Sequence, residues 1–393
     1  MKKRTIIVTG LAATYPLGGV SWDYLQYLLG FIELGHEAYY LEDTGCWPFD
    51  PDQMTFVEDG TKNAGYLAEF LRRLKPGLEK RFCYRDVNDV HHGLSREELA
   101  AVLRKAELFV NISAASILRE EYLAVPVKAL IDSDPLYTQS GIPAYLDGTA
   151  GPEVVKAIEN FKRHDVFFSF GENVGQPGCL VPDAIFDWKP TRQPVVLSCW
   201  QPAPPPRREV FTTVLSWRPK EDGPLVGGVR YGGKNLEFER LIDLPGRTDA
   251  VLELALSGTE EQMAALREHG WRVVPGTTKS RTPWDYRDYL AEGLGEFSTA
   301  KNAYVASRSG WFSCRSACYL ASGRPVVVQD TGFSDFLPVG EGVLAYTDAE
   351  GALAGIEAVR ADWGRQSAAA LKFAREHFNA REVLARLLEE ALA

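Results

Sequence analysis

Apolar, strand-like runs alternate with helical stretches along most of this chain, and that alternation admits few folds. Thr5 to Thr9 reads as a buried strand, and Ser21 to Leu34 as a helix with Trp22, Leu25, Leu28, Leu29 and Ile32 near helical spacing. Gly35-His36 ends the helix, and Ala38 to Leu41 returns as a strand. Ser95 caps a helix over Glu97 to Lys105, strands follow at Leu108 to Ile112 and Val127 to Ile131, and helix Pro152 to Lys162 leads to strand Val166 to Phe170. Strands separated by helical crossovers pair in parallel, and a parallel sheet needs both faces covered. The expectation is therefore an α/β fold.

The pattern stops and restarts. Lys189 to Arg208 holds Pro190, Pro194, Pro202, Pro204, Pro205 and Pro206, a density that no helix or central strand tolerates. It marks a connection between domains. Beyond it, strands are expected at Phe211 to Trp217, Val251 to Leu256 and Arg272 to Val274, with helices at Asn235 to Ile242 and Glu260 to Glu268. Asp348 to Arg360 and Arg381 to Leu392 read as further helices. A chain of 393 residues is too long for one ordinary core. The division expected is 1–195, 209–375 and a C-terminal helix in 376–393.

Charge narrows the partners. A formal net charge of −10 argues against general nucleic-acid or anionic-membrane binding, which both rest on a basic surface, and leaves room for a local basic cleft. The cysteines are scattered, and the one close pair, Cys314 and Cys318, has no histidine or second pair beside it to complete a zinc site. Small buried thiols in a reducing cytoplasm are expected. The start, Lys2-Lys3-Arg4 before Ile6-Ile7-Val8, imitates a signal peptide, but Thr9 and Gly10 break the apolar run too early. No apolar run is long enough to span a membrane.

In parallel α/β sheets ligands sit beyond the carboxyl ends of strands, and that rule selects candidates. After the first strand, Gly18 and Gly19 let backbone approach a ligand just before a helix, and Asp23 sits where the helix dipole stabilises a carboxylate. Asp132 and Asp134 follow the strand ending at Ile131, and Glu172 follows the strand ending at Phe170. Each is placed to act as a general base or to orient a hydroxyl. In the second half Ser216 ends a strand, and Tyr231-Gly232-Gly233-Lys234 leads into a helix whose start suits an anion. Lys301 and Arg315 are further cations there, and Trp284, Tyr286 and Tyr289 form an aromatic group on one short helix.

The stretch from Ser309 to Glu350 reads as loop, helix, buried strand, Gly turn, short strand and helix. Ser313 caps the helix, Arg315 lies in its first turn, Gly323 ends it, and Pro325 opens the strand Val326 to Val328. A helix start with a hydroxyl and an arginine can hold a phosphate. This layout resembles the donor-nucleotide half of the B-type glycosyltransferases, whose two Rossmann-like domains face a cleft. G-R-P-V-V at Gly323 to Val327 and G-V-L at Gly342 to Leu344 match the retaining branch. Gly310 and Cys318 stand near the places of that branch's two glutamates.

The resemblance implies a cytoplasmic enzyme moving a sugar from a nucleotide-diphospho-sugar to an acceptor, with no further cofactor and no metal. It implies an acceptor-side first domain with Asp132, Asp134 and Glu172, and a last helix that packs back on it. It places the donor on Gly18, Gly19, Ser216, Gly233, Lys234, Gly276, Lys301, Ser313 and Arg315. Two alternatives on the same fold are a nucleotide-sugar epimerase and a non-catalytic sugar- or partner-binding protein.

Overall fold

The computed structural model describes residues 2–217 and 223–393. The first sheet contains β1 (Thr5–Thr9), β2 (Glu37–Glu42), β3 (Phe82–Arg85), β4 (His91–Gly93), β5 (Ala106–Ile112), β6 (Val127–Asp132), β7 (Val166–Ser169) and β8 (Trp188–Pro190). Their spatial order is β8-β7-β6-β5-β1-β2-β3-β4. All neighbours are parallel except β3 and β4. The second sheet contains β9 (Val210–Ser216), β10 (Val251–Ser257), β11 (Arg272–Pro275), β12 (Gly295–Ser298), β13 (Val326–Gln329) and β14 (Val343–Tyr346). Its order is β11-β10-β9-β12-β13-β14, parallel throughout. The expected α/β architecture with two Rossmann-like sheets is the one observed.

Central strands are buried on both faces, which explains their continuous apolar runs: Ile6, Ile7 and Val8 in β1 and Val326 and Val327 in β13 have no exposed surface. Pro190 is tolerated because β8 is an edge strand, where a missing N–H interrupts no ladder. From there the chain crosses to β9 with only the short 3-10 turn Leu197–Cys199 on the way.

Helices α1 (Gly18–Glu33), α2 (Lys234–Glu239), α3 (Pro283–Glu292), α4 (Asn302–Ala306), α5 (Cys314–Ala321), α6 (Trp363–His377) and α7 (Ala380–Ala391) place the site and join the sheets. α1 is the joint. Its Trp22 is fully buried, 5.0 Å from the Trp200 ring and 6.0 Å from the Trp284 ring of α3, and donates through Nε1 to the Pro283 carbonyl at 2.8 Å. Burying an aromatic of this size stabilises by about 1.5–3 kcal/mol. α7 returns to α1: a Cβ on Gly30 would lie 2.5 Å from Leu384 Cδ1 and 3.1 Å from Ala380 Cβ, so the glycine lets the two helices approach closely. Val195 N donates to the Phe378 carbonyl at 2.7 Å and fixes the start of this return.

The α1 boundary differs from the expectation. The helix begins at Gly18 rather than Ser21, so Gly18 and Gly19 form its first turn and not a loop before it. Their smallness serves packing. A Cβ on Gly18 would lie 2.3 Å from the Thr282 carbonyl oxygen, and one on Gly19 would meet the Tyr286 ring at 3.1 Å. Asp23 accordingly sits beyond the first turn, where the dipole argument for it lapses. Among the described residues no helix is long and apolar enough to cross a membrane.

Candidate functional site

A cavity of about 320 Å³ opens between the two sheets. It lies beyond the carboxyl ends of β1 and β5 on one side and of β9 and β12 on the other, the points where each sheet's strand order reverses. The second sheet's wall is cationic. Lys234 opens α2, Lys301 precedes α4, and Ser313 and Arg315 lie at the start of α5.

The three cations differ in what they meet. Arg315 Nε donates to Glu296 Oε1 at 2.6 Å, and its Nη1 donates to the Val214 carbonyl at 2.7 Å. Lys301 Nζ donates to Asp134 at 2.6 Å and lies 4.4 Å over the Tyr137 ring. Lys234 has no hydrogen bond or ion pair with any described residue. Its pKa lies well below the usual lysine value, because burial disfavours the charge and Arg315 and Lys301 repel it. A lysine without a partner among the described residues, set beside two cations, is an arrangement that an anion relieves.

The start of α5 adds to this. Ser313 occupies the cap position, its hydroxyl makes no capping bond, and Ser313, Cys314 and Arg315 line the cavity at the helix start, which suits an anion. A buried network behind the wall fixes the positions of both lysines. Glu237 of α2 accepts from Asn302 Nδ2 and from Gln329 Nε2, each at 2.7 Å, while Asn302 Oδ1 accepts from Gly232 N at 3.0 Å. Lys234 and Lys301 therefore stand on helix starts cross-linked by one carboxylate.

Among the described residues, the first sheet's wall carries no cation. Gly19, Val20, Asp23 and Tyr24 come from α1, with Ile112, Ser113, Ser133, Phe170 and Gln193 from beyond the strand ends. Tyr24 Oη donates to Ser113 Oγ at 3.1 Å, and Ser113 Oγ lies 2.6 Å from Ser133 Oγ. Ser113 and Ala114 both hold positive φ, 57° and 50°, a left-handed conformation that costs a non-glycine residue about 1–2 kcal/mol. The Asp23 carboxylate makes no hydrogen bond or ion pair with a described residue. Burial pushes its pKa up to about 7, and the charge of Arg315 opposes the rise.

The cavity thus gathers Gly19, Lys234, Lys301, Ser313 and Arg315 from among the residues expected for the donor. It does not gather the rest. Gly18 packs on Thr282, and Ser216 is exposed at the end of β9. Gly233 caps α2 beside the cavity without lining it. Gly276 is small because a Cβ there would lie 2.7 Å from Ser257 Oγ.

The expected acids lie elsewhere too. Asp132 ends β6 fully buried, accepting from Gln139 Nε2 and Ser169 Oγ at 2.7 Å and from Thr138 Oγ1 at 2.6 Å. Burial raises its pKa while these bonds oppose the rise, and it clamps two loops rather than facing the cavity. Glu172 accepts from Arg192 Nη2 at 2.6 Å in a nearly closed pair within the first unit. Asp134 faces Lys301 across the cleft and also accepts from Tyr304 Oη. Strand pleating explains the miss: Asp132 points into the sheet's core and the next residue, Ser133, points out. The strand-end rule applied one residue further would have found Ser133, and Ser113 beyond Ile112.

Gly310 and Cys318 hold their places for packing. Gly310 has φ of 76°, and a Cβ there would meet Asn173 N at 2.8 Å. Cys318 is buried, its Sγ 3.7 Å from Gln26 Nε2.

No family model matches the sequence, and no curated protein matches it. Solved structures match along the full length. An alpha-glucosyltransferase in complex with UDP and a 13-mer DNA aligns with 10% identity over 100% of both chains, TM-score 0.55. Sucrose-phosphate synthase from Thermosynechococcus elongatus aligns with 11% identity over 99% of each chain, TM-score 0.55. Anabaena HepE in complex with UDP-glucose aligns with 11% identity over 98% of this chain and 99% of that one, TM-score 0.53. The fold is that of the B-type glycosyltransferases. At such identities the likeness concerns the B-type fold alone, and the chemistry rests on the cavity.

Proposed function

We propose that this B-type chain transfers a sugar from a nucleotide-diphospho-sugar to an acceptor. The observation that carries the reading is Lys234: a lysine with no hydrogen bond or ion pair among the described residues, lining the same cavity as Arg315, Lys301 and the start of α5. A diphosphate supplies the charge this wall lacks, and its release as a leaving group is what such a wall stabilises. Solved structures of this fold hold UDP or UDP-glucose, which supports the choice of a nucleotide sugar.

In this reading residues 209–375 hold the donor and residues 1–195 present the acceptor. Lys234, Arg315 and the N–H groups after Ser313 neutralise the diphosphate, the task a metal ion has in other transferases. Lys301, held by Asp134, borders the sugar or the distal phosphate. The co-substrate is the nucleotide sugar, and no cofactor is required.

The test is calorimetric titration with UDP-glucose and the other nucleotide sugars. Replacing Lys234 with Ala removes a charge-assisted contact, and affinity falls by about one to two decades. Unchanged affinity in a folded Lys234→Ala variant overturns the donor site. Product analysis separates the readings: a glycosylated acceptor indicates transfer, an epimerised or hydrolysed donor the epimerase, and binding without turnover a binding protein.

A further inference from the structure

Two sheets joined along one side of a cavity are free to hinge about that joint, and such motion is the default where the contact is small or polar. Here the joint between α1 and α3 does not stand alone. Beyond β7, residues 171–181 leave the first sheet and dock on the segments that follow α4 and β13. Gly171 forms an antiparallel bridge with Trp311. Asn173 N donates to the Ser309 carbonyl at 3.1 Å, and Leu180 N donates to the Ser307 carbonyl at 2.8 Å. The buried Asn173 side chain reaches further. Its Nδ2 lies 3.0 Å from the Gly332 carbonyl oxygen, 3.2 Å from that of Arg308 and 3.3 Å from Asp335 Oδ2.

The second sheet's side is shaped to receive this side chain. A Cβ on Gly332 would lie 2.7 Å from Asn173 Nδ2, and one on Gly310 would lie 2.8 Å from Asn173 N. Beneath the turn, Leu136, Val174 and Val181 from the first side pack with Tyr231, Ala303 and Tyr304 from the second in one buried apolar cluster. Trp311 Nε1 donates across to the Ser133 carbonyl at 3.1 Å. Leu136 and Arg308, one on each side, hold positive φ of 71° and 49°. Such strain persists only where surrounding contacts over-determine it.

We infer that residues 171–181 form a second joint, with Asn173 as its peg, so that the two sheets move as one rigid body around a cavity formed before any ligand binds. The cavity lies between the two joints. Gly19 and Tyr286 border it from the first, and Ser133, Phe170, Tyr304 and Trp311 from the second. Hinging about α1 and α3 breaks the bonds of Asn173 and Leu180 and uncovers the apolar cluster, while hinging about the second joint uncovers Trp22. A preformed cavity spares a ligand the cost of bringing the walls together. This inference concerns the fold and stands apart from the donor reading.

Amide hydrogen exchange and small-angle scattering on the full chain test it. In the ligand-free wild type, the Asn173 and Leu180 amides are expected to exchange as slowly as those of β6, and the scattering curve to match this structure. Adding UDP-glucose leaves the radius of gyration unchanged. Asn173→Ala is expected to speed exchange at Leu180 by about tenfold or more, with amides of β1 and β13 keeping their rates, and to enlarge the ligand-free radius. In the wild type, exchange at Asn173 and Leu180 far faster than in β6, a ligand-free radius larger than that of this structure, or contraction on adding UDP-glucose overturns the inference, whether or not the variant folds. A folded Asn173→Ala variant with wild-type exchange and radius overturns it too. Failure of UDP-glucose and the other nucleotide sugars to bind overturns the donor reading alone, because the ligand-free measurements decide the second joint.

Discussion

The two walls of the cavity are built in opposite ways. The second-sheet wall places charge on helix starts and fixes it from behind, with Glu237, Asn302 and Gln329 cross-linking the segments that carry Lys234 and Lys301. The first-sheet wall is hydroxylic and apolar, with a single carboxylate that nothing described binds. The difference teaches where stability has been given up. Lys234 and Asp23 both line the cavity without a hydrogen bond or ion pair from another described side chain, and burial moves both toward their neutral forms. Other buried charges have partners, as Glu253 with Arg208, Glu172 with Arg192, and Asp132 with three neutral donors.

The largest effect should come from separating the walls. Trp22→Ala removes the ring lying between Trp200, Trp284 and Phe70. A loss of about 3–5 kcal/mol in a denaturant titration is expected, with nucleotide affinity falling as well. A loss below about 1 kcal/mol would mean that the walls are held together by other contacts.

Next is the pH linkage of Asp23. Its carboxyl titrates at about 7 in the fold against 3.8 when free, so the folded state holds the proton more tightly. That contribution to stability is fully present below about pH 4 and is lost as pH rises through about 7. Asp23→Asn should therefore be more stable than wild type at pH 8, by up to about 4 kcal/mol, with the gap closing toward pH 4. Thermal melts across this range check it, and a gap of the opposite sign would show that Asp23 is paired.

Asp132 sharpens the contrast within one wall. Asp132→Asn leaves Ser169, Thr138 and Gln139 without a full set of acceptors, at a cost of about 1–3 kcal/mol. Turnover should change by less than about tenfold once the protein is folded. A collapse in turnover with an intact melt would show that Asp132 takes part in the reaction itself. The smallest effect belongs to Asp134→Asn. Its pair with Lys301 is partly exposed, and such pairs contribute about 0–1 kcal/mol. A larger loss would make this contact a clamp between the walls.

Much of the fold was legible because it is written in periodicity. β1, the Ser95 capping box, α7 and the Gly323 helix end follow local rules that need no partner. α6 escaped, since 361–380 is rich in alanine and carries its buried face on few large side chains, Phe373 foremost. The cations were legible as well, because Lys234 and Arg315 belong to helix starts that the sequence marks. The acids were not. Asp132, Asp134, Glu172 and Asp23 look alike in sequence, and only their neighbours separate clamp, bridge and free carboxylate.

The sequence by itself determined the α/β alternation, the break between its halves and the helix starts that concentrate positive charge, for these depend on residues close along the chain. The tertiary structure alone decided which groups meet in the cavity. Gly18 had to be small for a carbonyl on another helix, and Asp23 had to face Arg315 from nearly three hundred residues away. Hydrogen bonding and burial are set by neighbours in space, so a carboxylate's chemistry is fixed only once those neighbours are in place.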